Sequence, residues 1–211
     1  MERIELMDIS FLGRGIIIGL AIAAPVGPIG ILCIRRTLAE GRNIGFVSGL
    51  GAASADACYG AVAALGLTAV SSRLVSHQDL IKLIGGLFLC YLGIRIARSQ
   101  PSTNEANAYT PSMAKAYGST FALTLTNPTT ILSFVAVFAG LGLAEMEGDR
   151  APALLLVIGV FLGSALWWLL LSGSVSLLRG KLTPGRLRWV NWISGTILVG
   201  FGVLALGSSV R

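Results

Sequence analysis

A single carboxylate, Asp56, stands in the middle of a long apolar run, and two proline-bearing segments interrupt two others: Ala24-Pro25-Val26-Gly27-Pro28 and Thr126-Asn127-Pro128-Thr129-Thr130. A carboxylate in apolar surroundings can neutralise a bound ammonium group. It can also carry a proton exchanged against a solute, because burial favours the neutral form of a carboxylic acid. Each proline removes a backbone donor and crowds the preceding turn, while Gly27 tolerates conformations that other residues avoid. A helix restarting after such a break points amide groups and a positive dipole end into the gap, which suits a solute carboxylate. Thr126, Asn127, Thr129 and Thr130 could add neutral hydrogen bonds there. Plainer alternatives stand beside these: proline kinks with the threonines bonded back to their own carbonyls, and a protonated Asp56 bonded to a neighbouring helix.

The elements that would position these residues are membrane spans. The 211 residues are 54% hydrophobic and only 12% charged, where a soluble domain carries about 25% charged residues. Charge-poor apolar runs recur at 15–34, 44–70, 80–97, 116–144, 151–178 and 189–210, each near or above the roughly 20 residues that a crossing helix needs, and the fourth longer than a straight crossing requires. The third is the most polar, with Lys82 and Arg95 near its ends, where long side chains reach the interface. Continuous apolar runs favour helices over the short alternating strands of a barrel. Asp56 lies twelve positions past Ile44, or about 18 Å along a helix and near the bilayer midplane. Around it Gly45, Gly49, Gly51, Ala52 and Ala53 form a close-packing face. Cys33, Cys58 and Cys90 lie in apolar stretches without paired spacing and read as small packing residues. Ala21-Ile22-Ala23 resembles a signal-peptide cleavage site, but Glu2, Glu5 and Asp8 spoil the basic region that such a signal needs.

Charge gives the direction. The connections after spans 1, 3 and 5 hold Arg35, Arg36, Arg42, Arg95, Arg98, Lys115, Arg179, Lys181, Arg186 and Arg188, ten of the sixteen basic residues. That side is expected to be cytoplasmic and both termini non-cytoplasmic. The same clusters are too dispersed to form a nucleic-acid-binding face.

A polar stretch at 99–112, expected to be a cytoplasmic linker, divides the spans three and three, into repeats at 1–98 and 113–211. Gly86 and Gly93 of span 3 match Gly195 and Gly202 of span 6, and the prolines of span 1 answer Pro128 of span 4. Halves with an odd number of spans must enter the membrane from opposite sides. The expected fold is therefore an all-α membrane protein of six transmembrane helices, two inverted three-helix repeats, with helices 1 and 4 broken at the proline motifs. Irregular backbone at membrane depth must be buried or line a cavity, so the two breaks should face each other. Candidate solute-binding residues are Pro25, Gly27, Pro28, Asp56, Thr126, Asn127, Pro128, Thr129 and Thr130, with Asp56 also the candidate for proton coupling.

At these residues the chain resembles the lysine exporter family, whose members share six spans, a proline-glycine-proline type motif in span 1 and an asparagine-proline motif in span 4. The likeness covers nearly the whole chain. Its motifs stand here as Pro25-Val26-Gly27-Pro28 and Asn127-Pro128, with the Ile34-Arg35-Arg36 exit, Asp56 in a glycine-rich span 2, and the Gly86 and Gly93 spacing. The resemblance implies a secondary transporter of a bacterial inner membrane that exports amino acids or similar zwitterionic or cationic solutes, coupled to the proton gradient. It implies no enzymatic role and no cofactor. Where the family's span 4 motif commonly continues with lysine, this chain has Thr129.

Rival functions fare differently. A thiol-shuttling oxidoreductase needs a cysteine in each half, and spans 4 to 6 hold none. A divalent metal exporter needs several converging ligands, and Asp56 is nearly alone among charged groups in the spans. A membrane enzyme needs a nucleophile beside a base, yet the one histidine, His77, falls in a loop where a solvated surface role is expected. A gated channel stays open as an alternative to alternating access, and the glycine faces leave a homodimer open.

Overall fold

The computed structural model describes residues 2–25, 27–64, 77–99, 112–127, 130, 131, 133, 134, 150–180 and 183–209. Among these residues there are helices and no strands. The helices are α1 (Glu2–Ala23), α2 (Pro28–Glu40), α3 (Arg42–Ala64), α4 (Gln78–Ala97), α5 (Met113–Leu125), α6 (Arg150–Arg179) and α7 (Pro184–Ser209). In lipid every backbone amide and carbonyl must be satisfied within the chain, and a helix does this inside one segment. By length and apolar character, α6 over Ala151–Arg179 and α7 over Gly185–Gly207 can cross a membrane. The pair Ser10–Ala23 and Pro28–Glu40 makes a third crossing if the two helices are taken as one bent span.

The first apolar run, 15–34, falls on α1 and α2, which together reach further at both ends. The two helices bend by 81° at the proline motif. The last α1-type bond runs from the Ala24 amide to the Leu20 carbonyl, and the first of α2 from Ile31 to Gly27. Gly27 is extended, and Pro28 occupies the first helical position, where a missing N–H costs nothing. The apolar runs numbered 2, 3, 5 and 6 in the sequence fall on α3, α4, α6 and α7, and run 4 opens as α5 and turns helical again at Thr130, Ile131, Ser133 and Phe134. Between α2 and α3 the chain reverses at Gly41, whose φ of 105° favours glycine.

Close helix crossings use glycine, because a missing side chain lets backbones approach. A Cβ at Gly15 or Gly19 of α1 would strike the Leu156 or Val160 carbonyl of α6, and one at Gly159 or Gly163 would strike Leu12 or Ile16. Both series ascend together, so α1 and α6 run parallel. Helices α3 and α5 are also parallel, with Gly51 against Tyr117 and Tyr59 against Leu125. By contrast α3 and α6 are antiparallel, pairing Gly49 with Trp168 and Gly60 with Val160. So are α4 and α7, where Gly86 meets Leu206 and Gly93 meets Gly195. All four crossings join a helix of the first half to one of the second.

Helix α3 is the centre of the bundle. One core gathers Ala52 and Ala53 with Ala23, Ile29, Leu32, Leu123, Trp168 and Leu198, and a second packs Tyr59 with Ile18, Ile131, Phe134, Leu156 and Val160. Outward faces of α4 and α7 stay apolar, with Leu80, Leu87 and Tyr91 on one and Trp189, Trp192 and Leu204 on the other. Cys33 is buried in the first core, but Cys58 is exposed and does not serve as a packing residue within this chain. Its helix turns that side away from both cores.

Candidate functional site

Asp56 is where α3 meets α6. The small residues before it let α6 come close, and the carboxylate is left 3% exposed. Ser164 Oγ, fully buried on α6, donates to Asp56 Oδ2 at 2.7 Å, and Trp168 Nε1 donates to the same Oγ at 3.1 Å. Trp168 follows Ser164 by one helical turn, so both reach the same face. An indole N–H can only donate, so the serine proton points to the acid and the order Trp168, Ser164, Asp56 has one direction. Among the described residues Asp56 Oδ1 accepts no hydrogen bond. A bond from Asp56 to a neighbouring helix is the arrangement anticipated by the plainer sequence alternative. It occupies one of the two oxygens.

At the first break Pro25 is exposed, Gly27 half-buried and Pro28 buried. A Cβ built at Gly27 would meet nothing within 4 Å, so the backbone there borders open space. No side chain caps α2, and the first-turn amides of a helix have no intrahelical partners. Ala23 and Ile29, on either side of the break, share a core with Ala52 and Ala53, one turn before Asp56.

At the second break Pro128 cannot donate to the Thr124 carbonyl, and the Asn127 amide takes it at 3.2 Å. Ile131 then donates to the Asn127 carbonyl at 3.2 Å. Thr126 Oγ1 bonds back to the Ala122 carbonyl at 2.9 Å, the local role of the proline-kink alternative. Thr130 is buried, whereas Pro128 and Thr129, like Val26 and the acidic 145–149 segment, lie outside the described residues. The Tyr59 hydroxyl donates to the Leu125 carbonyl at the end of α5, and its ring packs 5.6 Å from Phe134 beyond the break. Tyr59 stands about one turn past Asp56 on the same helix, so α3 carries the acid and also braces the broken span.

Asp56 is thereby tied to the second break through Tyr59 and to the flanks of the first through the core. No hydrogen bond joins it to Pro25, Gly27, Pro28, Thr126 or Thr130 among the described residues. Sequence reasoning missed Tyr59 and Ser164. The signal for Tyr59 was its helical spacing from Asp56, and for Ser164 its standing as the one hydroxyl between 151 and 171. Of the span 5 tryptophans, Trp168 is buried in the site rather than at an interface. In a Tyr59→Phe protein the ring still packs on Phe134 but the Leu125 carbonyl loses its donor. Thermal unfolding in detergent should report a loss of about 1–3 kcal/mol.

The other end of the bundle is held by two neighbouring arginines. Arg35 forms an ion pair with Glu40 and donates through Nε to Asn191 Oδ1 on α7 at 3.0 Å and through Nη2 to Ser99 Oγ at 3.4 Å. Arg36 turns the opposite way and bonds to Ser48 on α3 and to Ala116, Ser119 and Thr120 on α5. Placed by the sequence in the connection after span 1, Arg36 lies within α2 and is buried, at 8% exposure. Among the described residues no three His, Cys, Asp or Glu side chains come together.

The chain is similar to three curated bacterial proteins across most of its length. YcgF of Bacillus subtilis, named for amino acid efflux, is 28% identical over 89% of this chain and 90% of its own length. The membrane protein YahN of Escherichia coli K12 is 29% identical over 82% of this chain and 77% of its own. The threonine efflux protein of Salmonella typhi is 24% identical over 84% and 88%. No solved structure matches. The sequence profile of the LysE type translocators matches residues 20–209, so this helical, multi-pass membrane protein belongs to the LysE type translocator family and is a transporter, not an enzyme.

Proposed function

We propose that the chain exports amino acids across a bacterial inner membrane, by alternating access between two inverted three-span halves, driven by the proton gradient. The observation that carries this reading is Asp56. It is buried, held through Oδ2 by Ser164, and accepts no hydrogen bond at Oδ1 among the described residues. A solute ammonium group or a proton would take Oδ1. The uncapped start of α2, beside the open space at Gly27, would take the carboxylate. In this reading Pro25, Pro28, Asn127 and Thr130 flank the two breaks, Pro128 and Thr129 join them on the sequence motif alone, and Thr126 is spent on its own helix. The names of relatives, amino acid efflux and threonine efflux, support the same solute class.

The inverted arrangement draws support from the pattern of helix pairs. Exchanging span 1 with 4, 2 with 5 and 3 with 6 turns the α1–α6 pair into α5–α3, and both are parallel. The same exchange returns the antiparallel pairs α3–α6 and α4–α7 to themselves. The resumed part of span 4 follows suit, since Ile131 and Phe134 pack on Leu156 and Val160 of span 5 as α2 packs on α3. The repeats at 1–98 and 113–211, joined by a cytoplasmic linker, fit this exchange. Arg35, Arg36, Ser99, Ala116 and Asn191 meet at the basic end, which we assign to the cytoplasm, with both termini on the other side.

Proteoliposomes carrying the purified chain and loaded with radiolabelled threonine, lysine, a dipeptide or manganese test the reading. An amino acid should leave faster with an inward proton gradient than without one. Transport of manganese alone, or flux indifferent to the gradient, would overturn the solute class or the coupling respectively.

A further inference from the structure

Arg36 is a charged group buried inside the bundle that forms no ion pair among the described residues. Its Nη1 donates to Ser48 Oγ at 2.9 Å, the Ala116 carbonyl at 2.9 Å and Thr120 Oγ1 at 2.8 Å, and Nη2 donates to Ser119 Oγ at 2.8 Å. All four acceptors are neutral. The acid one turn further along its helix, Glu40, pairs through Oε1 with Arg35, and its Oε2 has no hydrogen bond from Arg36. A buried charge held only by neutral oxygens is less well compensated than one facing an anion.

The hydroxyl partners do not depend on Arg36. Ser48 also donates to the Ile44 carbonyl at 2.8 Å, and Ser119 and Thr120 donate to the Ala116 carbonyl at 3.2 and 3.0 Å. If the guanidinium swung away, each hydroxyl proton would stay bonded within its own helix. Release therefore burdens the guanidinium alone, and an incoming carboxylate would compensate it. The planar fork of arginine matches a carboxylate with two parallel hydrogen bonds. Arg36 also stands on the helix whose first turn borders the gap at Gly27, eight residues past Pro28, or about 12 Å along the axis.

We propose that Arg36 is a carboxylate-binding residue at the cytoplasmic entrance, exchanging Ser119 and Thr120 for the carboxylate of an amino acid before that solute reaches the gap at Gly27. This rests on the export reading above.

Inverted membrane vesicles from cells making the full chain expose the cytoplasmic face, and uptake of radiolabelled threonine is compared with that of threonine amide, which lacks the carboxylate. Wild type should prefer threonine by about tenfold or more in KM, and Arg36→Gln should raise the threonine KM about tenfold and erase the preference. Arg36→Lys, which keeps charge without the fork, should fall between. The double variant Ser119→Ala with Thr120→Val leaves the guanidinium less engaged and should lower the threonine KM. An unchanged threonine-to-amide preference in Arg36→Gln, or an unchanged KM in the double variant, overturns the assignment while the export reading stands. If Arg36→Gln fails to insert, the double variant decides alone. Wild-type vesicles that move no amino acid sink both.

Discussion

An Asp56→Asn protein should reach the membrane in normal amount and lose gradient-driven export. Asparagine has nearly the shape of aspartate, and its carbonyl oxygen can still accept the Ser164 hydroxyl, so the α3–α6 crossing keeps its hydrogen bond. What disappears is the negative charge and the site for a proton. A hydrogen bond to a charged group is worth about 1.5–3 kcal/mol, which corresponds to roughly ten- to a hundredfold in rate at fixed solute concentration. Exchange of labelled against unlabelled solute, which needs no proton movement, separates the two roles. If exchange survives and uphill export does not, Asp56 carries the proton; if both fall together, it holds the ammonium group. Export at the wild-type rate would remove Asp56 from both.

Gly163→Val should have the largest effect on folding. A side chain at this position meets the Ile16 carbonyl oxygen, with its carbonyl carbon at 2.8 Å and Cα at 2.9 Å. Those are backbone atoms of α1 and cannot rotate away. The helices must part, and the mirror contact of Gly159 on Leu12 is lost with them. Overpacking costs about 1–3 kcal/mol where side chains can adjust, and more is expected where the obstacle is main chain. Membrane abundance and the melting temperature in detergent should both drop sharply. Gly118→Ala is the control, because a Cβ there meets nothing within 4 Å.

Much of this was legible in the sequence because the rules concerned are local. Proline and glycine act on their own turn, so Pro25-Val26-Gly27-Pro28 marks the bend between α1 and α2 without knowledge of any partner. Asp56 stands out because a carboxylate among glycine, alanine and leucine is rare enough to notice. The partners were not legible. Nothing in the order of residues says that Ser164 lies against Asp56, or that Tyr59 reaches Leu125, since both depend on which helix lies beside which. Arg36 was misread for a related reason. Two arginines leaving an apolar run look alike in sequence, and only the turn of α2 sends one to the bundle edge with Glu40 and the other inward among hydroxyls.

The crossings that tie each helix of one half to a helix of the other bear on how the protein is made. Helix α1 leaves the ribosome well before the surface that Gly15 and Gly19 fit, on α6. Until then the α3 carboxylate lacks the serine that later holds it. Closure of the bundle therefore waits for α6 and α7, which supply the partner faces of α1, α3 and α4.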